Sequence, residues 1–167
     1  MQIVEPTTTD QLQRAADLMR DFLAWTQVRF DAMPDIVAAY YDMDAWEREL
    51  DDLGSEYCRP DGGLLLALDE DEAIGCVALR RFDADICEMK RLFVTSNTHR
   101  RGVGRALCLA LFDLGQELGF TRMRLETGDL QVEAQTLYRS LGFYDIPPYR
   151  AHPAFLLDHM ICMERSL

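Results

Sequence analysis

The chain has 167 residues, 49% hydrophobic and 28% charged, a composition that can bury one core and excludes a disordered segment. Its 17 basic and 29 acidic residues leave a net charge of -12, which argues against nucleic acid as a general partner, because phosphate neutralisation needs an extended basic surface. No apolar run approaches the roughly 20 residues that span a membrane, and the N-terminus MQIVEPTTTD lacks the basic and apolar regions of an export signal.

Residues 2–5 read as a short strand closed by Pro6. Thr8 or Thr9 then caps a helix whose apolar positions Leu12, Ala15, Leu18, Met19 and Phe22 keep helical spacing. A second helical region over about 35–53 is interrupted near Met43 and Asp44, where Asp44 can cap the segment AWERELDDL. The acidic residues of that segment read as a solvated face. Residues 54–63 are loop, with turn chemistry at RPDGG. The period then changes: 64–68, 73–81 and 85–94 read as strands joined by DEDE and FDA, connections short enough for antiparallel hairpins. Residues 102–119 form a helix with Val103, Leu107, Ala110, Leu111, Leu114 and Leu118 on one stripe, ended by Gly119. A strand at 121–126, a helix at 131–141 stopped by Gly142, a strand at 143–146 broken by Pro147-Pro148, and a last strand at 159–164 complete the chain. This order predicts an α/β mixed sheet of about six to seven strands with helices on both faces, its meander running into a right-handed parallel crossover. The five cysteines (58, 76, 87, 108 and 162) show neither CxxC nor Cys/His metal spacing. We therefore expect one cytoplasmic domain over 1–167, with reduced thiols and no metal.

From Glu88 to Leu107 the chain reads EMKRLFVTSNTHRRGVGRAL. Lys90, Arg91, Arg100, Arg101 and Arg105 fall here, and the next acidic residue after Glu88 is Asp113. A basic island with glycines at a helix N-terminus points to a phosphate-bearing ligand, since free N–H groups and the helix dipole favour an anion. The plainer alternative is a tight loop on a solvated basic face. A dinucleotide fingerprint fits poorly: Leu107 stands where the third glycine belongs, the loop is charged, and an antiparallel meander precedes it. A P-loop is excluded because no Gly-Lys-Ser/Thr follows.

Four segments in register, EMKRLFV, HRRGVGRAL, LETG and AQTLYRSLGF, resemble the GNAT superfamily of N-acetyltransferases, with His99 standing at the usual Gln/Arg position of the acyl-CoA signature. The resemblance runs from about 64 to 143, and the flanking segments look like a bacterial branch of small uncharacterised members. It implies transfer of an acetyl group from acetyl-CoA to a primary amine by direct attack, through a tetrahedral intermediate. A small-molecule or amino-acid-like acceptor is favoured, no membrane is involved, and a homodimer is allowed. It also implies that the backbone of Leu92, Phe93 and Val94 pairs with the pantetheine arm. The amides of Arg101, Gly102, Val103, Gly104 and Arg105 then hold the pyrophosphate, with Arg100, Arg101, Arg105 and His99 as cationic candidates.

By the same resemblance Tyr138 protonates the departing thiolate, the alternative being an aromatic on the packing face. Glu88 matches a general-base position, with partial burial expected to raise its pKa. The alternative for Glu88 is an ion pair with Lys90 or Arg124. Glu126 and Asp129 rival it for binding the amine. Trp25, Tyr40, Tyr41, Trp46 and Tyr149 form either an aromatic acceptor pocket or core and rim. A non-catalytic acyl-CoA-binding module and a dinucleotide-dependent oxidoreductase are the competing functional classes.

Overall fold

The computed structural model describes residues 1–95 and 102–167. After β1 (Gln2–Val4) come four helices: α1 (Thr9–Arg29), α2 (Pro34–Tyr40), α3 (Met43–Asp51) and α4 (Leu53–Glu56). The meander is β2 (Gly62–Asp69), β3 (Glu72–Arg81) and β4 (Ile86–Val94). Then follow α5 (Val103–Glu117), β5 (Arg122–Gly128), α6 (Val132–Ser140), β6 (Tyr144–Ile146), α7 (Ala154–Leu157) and β7 (Met160–Ser166). Among the described residues seven strands form one sheet in the order β1-β2-β3-β4-β5-β7-β6, antiparallel throughout except for the β4–β5 pair. The mixed sheet and the crossover are those expected from the sequence.

Period-2 alternation sends neighbouring side chains to opposite faces and gives the sheet two cores. Leu65, Val77, Leu79, Met89, Met123 and Leu125 face α5 and α6, where Val103, Leu107, Leu111 and Tyr138 meet them. Leu64, Leu66, Cys76 and Ala78 face α1 to α4 and α7, against Met19, Trp46, Leu53 and Leu156. Leu107 is fully buried, and its side chain approaches Gly75 of β3 so closely that a Cβ there would lie 3.1 Å from it. The glycine that lets helix and strand pack therefore sits on the strand and not on the helix, the reverse of a dinucleotide fold.

Local chemistry explains most boundaries. Thr8 caps α1 through a reciprocal capping box with Gln11, and Gly119 and Gly142 follow their helices at φ +86° and +87°. The region 35–53 departs from expectation by splitting into three helices. Asp42, not Asp44, caps α3, because its carboxylate reaches the Ala45 amide at 3.1 Å while Asp44 lies inside the first turn. Asp52 leaves helical geometry and caps Ser55, which starts α4. The short α7 after Pro153 carries no periodic signal in the sequence and was not expected. No helix among the described residues is long and apolar enough to cross a membrane.

Replacing Leu107 with Ala should cost about 2–5 kcal/mol, as for large-to-small changes at collapsed core sites. Chemical denaturation should show a lower midpoint with an unchanged m-value.

Candidate active site

The site begins where two parallel strands stop pairing. β4 and β5 are in register only at Ile86↔Arg122, Cys87↔Met123 and Glu88↔Arg124. Beyond that β4 continues along β3 and β5 along β7, so residues 89–94 and 125–128 face each other without a ladder between them. A cavity of about 540 Å³ occupies the opening.

A bulge accompanies the separation. Between Cys76↔Phe93 and Ala78↔Lys90, β3 advances two residues while β4 advances three. Arg91 sits in the bulge at φ +59°, a left-handed conformation that costs a non-glycine residue about 1–2 kcal/mol. Its guanidinium is clamped by Glu49 of α3 through a bidentate pair at 2.7 and 2.6 Å and lies 4.2 Å over the Trp46 ring. Glu49 also accepts the Tyr57 hydroxyl at 2.6 Å. Although burial alone would raise the Glu49 pKa, Arg91 and Tyr57 together hold it below the ordinary value. The acidic face of α3 is thus not wholly solvated: Glu49 turns inward to hold the bulge.

Leu92, Phe93 and Val94 all line the cavity, as the sequence suggests, with Leu92 and Val94 on the α5 side and Phe93 packed at 6.1 Å against Phe22 of α1. Gly102, Gly104 and Arg105 line it as well. Gly102 caps α5 in the left-handed region at φ +73°, and the first helical bond runs from the Ala106 amide to its carbonyl at 3.0 Å. The amides of Val103, Gly104 and Arg105 therefore have no intrahelical acceptor and are available to an anion. Val103 itself is buried in the core, and the Arg105 guanidinium reaches the Ser140 hydroxyl at 3.3 Å. His99, Arg100 and Arg101 lie outside the described residues. Lys90 and Arg91, counted with them in the basic island, belong to a different place: both are engaged by carboxylates on the α3 side of the sheet.

Tyr138 projects from α6 into the cavity, and no described residue hydrogen-bonds its hydroxyl. Burial raises its pKa well above the ordinary phenol value, so it remains protonated and able to donate. Its ring also packs against Phe143 at 5.7 Å, the packing role that the sequence allows.

Glu88 differs from expectation. Its side chain is 1% exposed, and both oxygens are taken: Oε1 accepts Tyr149 at 3.0 Å and Arg150 Nε at 3.1 Å, while Oε2 meets Arg150 at 2.6 Å, Lys90 at 3.3 Å and Arg80 at 3.4 Å. Burial pushes its pKa up, but the three cations overcome that and leave it lowered. A carboxylate so held is a poor proton acceptor. Arg124, the other suggested partner, pairs instead with Glu164 at 2.7 Å.

Glu126 is the carboxylate in the opening. It is 3% exposed, lines the cavity, and accepts the Tyr40 hydroxyl at 3.2 Å, with His152 Nε2 at 3.0 Å. Asp129 is not among the residues lining this cavity; its Oδ2 meets His159 Nδ1 at 2.8 Å, and its Oδ1 is buried without a hydrogen-bond partner among the described residues. Of the aromatic set, Trp25, Tyr40 and Tyr41 line the cavity, Trp46 walls a smaller neighbouring one, and Tyr149 packs on Phe82 above Glu88. Among the described residues no group of three or more His, Cys, Asp or Glu side chains could hold a metal ion.

The sequence model of the acetyltransferase (GNAT) family matches residues 20–143, which include this opening and the start of α5. The chain belongs to the GNAT acetyltransferase family. It is 37% identical over 100 residues to an uncharacterised N-acetyltransferase of Schizosaccharomyces pombe, covering 59% of this chain and 61% of that one. To the uncharacterised N-acetyltransferase YjgM of Escherichia coli it is 31% identical over 100 residues, covering 58% and 60%. The matches thus span about three fifths of these curated relatives. The GNAT fold is shared with the PaiA N-acetyltransferase of Thermoplasma acidophilum, solved in complex with coenzyme A, at TM-score 0.72 and 18% identity over all of both chains.

Four residues around this opening escaped sequence reading: Glu49, Arg80, Arg150 and His152. The one available signal was Glu49 three residues after the apolar Trp46 on α3, a position half-turned toward the core.

Glu49→Gln should leave Arg91 buried without its counter-charge, at a cost of about 3–5 kcal/mol, seen as a lower denaturation midpoint. Because Glu49 and Glu88 have pKa values below 4.5 in the folded state, their stabilisation is complete above about pH 4.5 and is lost as pH falls through the lowered values. The thermal midpoint should therefore decline in acid, with a shallower slope in Glu88→Gln.

Proposed function

We propose that the chain acts as a single acetyltransferase domain, moving the acetyl group of acetyl-CoA to a primary amine of a small, amino-acid-like acceptor. The observation that carries this reading is the unpaired opening between β4 and β5, which meets the free amides of α5 at one end and Glu126 and Tyr138 on its walls. Unpaired strand backbone accepts an extended pantetheine arm by main-chain hydrogen bonds. The α5 N-terminus and Arg105 suit the pyrophosphate. Family membership supports the same donor.

In this reading Glu126 holds the acceptor ammonium and takes its proton, and His152 and Tyr40 orient the carboxylate. The freed nitrogen lone pair attacks the thioester carbon, and the developing oxyanion is met by a backbone N–H of the open β4 edge. Collapse of the tetrahedral intermediate breaks the carbon–sulfur bond. The nitrogen sheds its second proton to water as the amide forms, the thiolate takes the Tyr138 proton, and the phenol regains a proton from solvent as the free thiol departs. Apolar walls from Phe22, Trp25 and Ile36 favour an acceptor with a hydrophobic part.

The test is mass-spectrometric detection of acetylated product over a panel of amines, amino acids and N-terminal peptides, with acetyl-CoA alone as control. Coenzyme A binding with no acetylation of any amine would leave a binding module and overturn the reading. Tyr138→Phe should lower kcat at least about tenfold, and Glu126→Gln should lower kcat/KM about 10²-fold or more. A Glu126→Gln enzyme with the wild-type rate would remove that residue from the mechanism.

A further inference from the structure

A second cavity of about 240 Å³ adjoins the first, sharing Tyr40, Tyr41, Lys90, Arg91 and Glu126 with it. We propose that this cavity is a carboxylate subsite made by Arg80, Lys90 and Arg150, so that the acceptor is a free amino acid, its amine at Glu126 and its carboxylate at the cations. The proposal rests on the acetyl-transfer reading and names the acceptor class within it.

The argument starts from an imbalance of charge. Glu88, 1% exposed, lies beneath Lys90 (12%), Arg80 (30%) and Arg150 (33%), so one carboxylate faces three cations and the cations form the outer layer. The other charges around the cavity are already committed. Arg91 and Glu49 satisfy each other, Asp42 is exposed and caps α3, and the half-exposed Glu56 meets Arg80 at 3.1 Å from the outside. A buried carboxylate needs one arginine for bidentate pairing, and Arg150 alone supplies that. Glu56 answers one of the two further cations, and the surplus of one positive charge among the three invites another anion.

Donors remain for such an anion. Arg150 spends Nε and Nη2 on Glu88, and Arg80 spends Nε on Glu88 and Nη1 on Glu56. Each guanidinium keeps a second terminal nitrogen with no hydrogen bond to a described residue, and Lys90 keeps two of its three N–H bonds. The Lys90 ammonium also feels the surplus: burial and the nearby Arg80, Arg91 and Arg150 push its pKa down despite Glu88. All this occurs in a chain of net charge -12. The neighbouring Glu126 supplies the opposite sign, and a zwitterion matches both.

The experiment compares each standard L-amino acid with its C-terminal amide at saturating acetyl-CoA. The free acid should be preferred by at least about tenfold in kcat/KM, the scale of one charge-assisted contact. In Arg150→Gln and in Lys90→Gln that ratio should fall toward one, chiefly through the KM of the acid. Amides used as well as acids, or variants that slow both equally, would overturn the subsite while leaving acetyl transfer intact. A separate binding readout covers the case of no turnover. With coenzyme A present, L-amino acids should change Trp46 fluorescence saturably, and at least about tenfold more weakly in Arg150→Gln. Equal titrations in both proteins would overturn the proposal. Saturable binding without product would instead retain the subsite and reject acetyl transfer.

Discussion

The ion pair between Arg91 and Glu49 is the constraint on which the site depends. Two parallel strands with apolar faces ordinarily continue pairing, because each unpaired backbone group gives up a hydrogen bond. Here β4 departs from β5 after three residue pairs, and the bulge that accompanies the departure puts Arg91 in a conformation unfavourable to any side-chain-bearing residue. A bidentate, buried carboxylate and the Trp46 ring beneath the guanidinium offset that cost. The clamp comes from α3, so the helix that decides the shape of the opening also walls the smaller cavity beside it.

The bulge also redistributes side chains. Upstream of it, β4 alternates regularly: Cys87 and Met89 face α5, Glu88 and Lys90 the opposite side. The extra residue keeps Arg91 on the same side as Lys90, after which Leu92 and Val94 return to the α5 core and Phe93 to the α1 core. Cationic groups are thereby concentrated on the α3 side, while the far end of β4 presents apolar side chains and open backbone. Gly75 of β3 permits the strand to pass there, since a Cβ at that position would stand 2.8 Å from the Phe93 carbonyl oxygen. The two ends of the opening differ in polarity because one residue was inserted in one strand.

What the sequence disclosed follows from how local each determinant is. The meander, the crossover and the glycine helix start are written in alternation, short loops and caps, all readable within ten residues, and they hold. The Asp42 cap was misplaced by two residues because two aspartates there can each serve, and only backbone geometry chooses between them. Glu49–Arg91 joins residues 42 apart and Glu88–Arg150 residues 62 apart, so neither pairing leaves a trace in spacing. The expected pairing of Glu88 with Lys90 is present, but the expected rise in its pKa was not met for a related reason. Its burial was foreseeable from its place in a central strand, but the sign of its pKa shift depends on Arg80 and Arg150, which arrive from a neighbouring strand and a distant loop.

The partners separate the two buried glutamates. Both Glu88 and Glu126 lie on the same face of adjacent strands, and both side chains are almost wholly buried. Glu88 meets three cations, and protonating it would strand their charge in a poorly hydrated place. Glu126 meets a phenol and an imidazole, neither of them a permanent cation. Fixed positive charge is therefore gathered around one glutamate and kept away from the other. One is locked into an electrostatic framework and the other is held by a hydroxyl and an imidazole, although the sequence alone presents them as equivalent acids on two neighbouring strands.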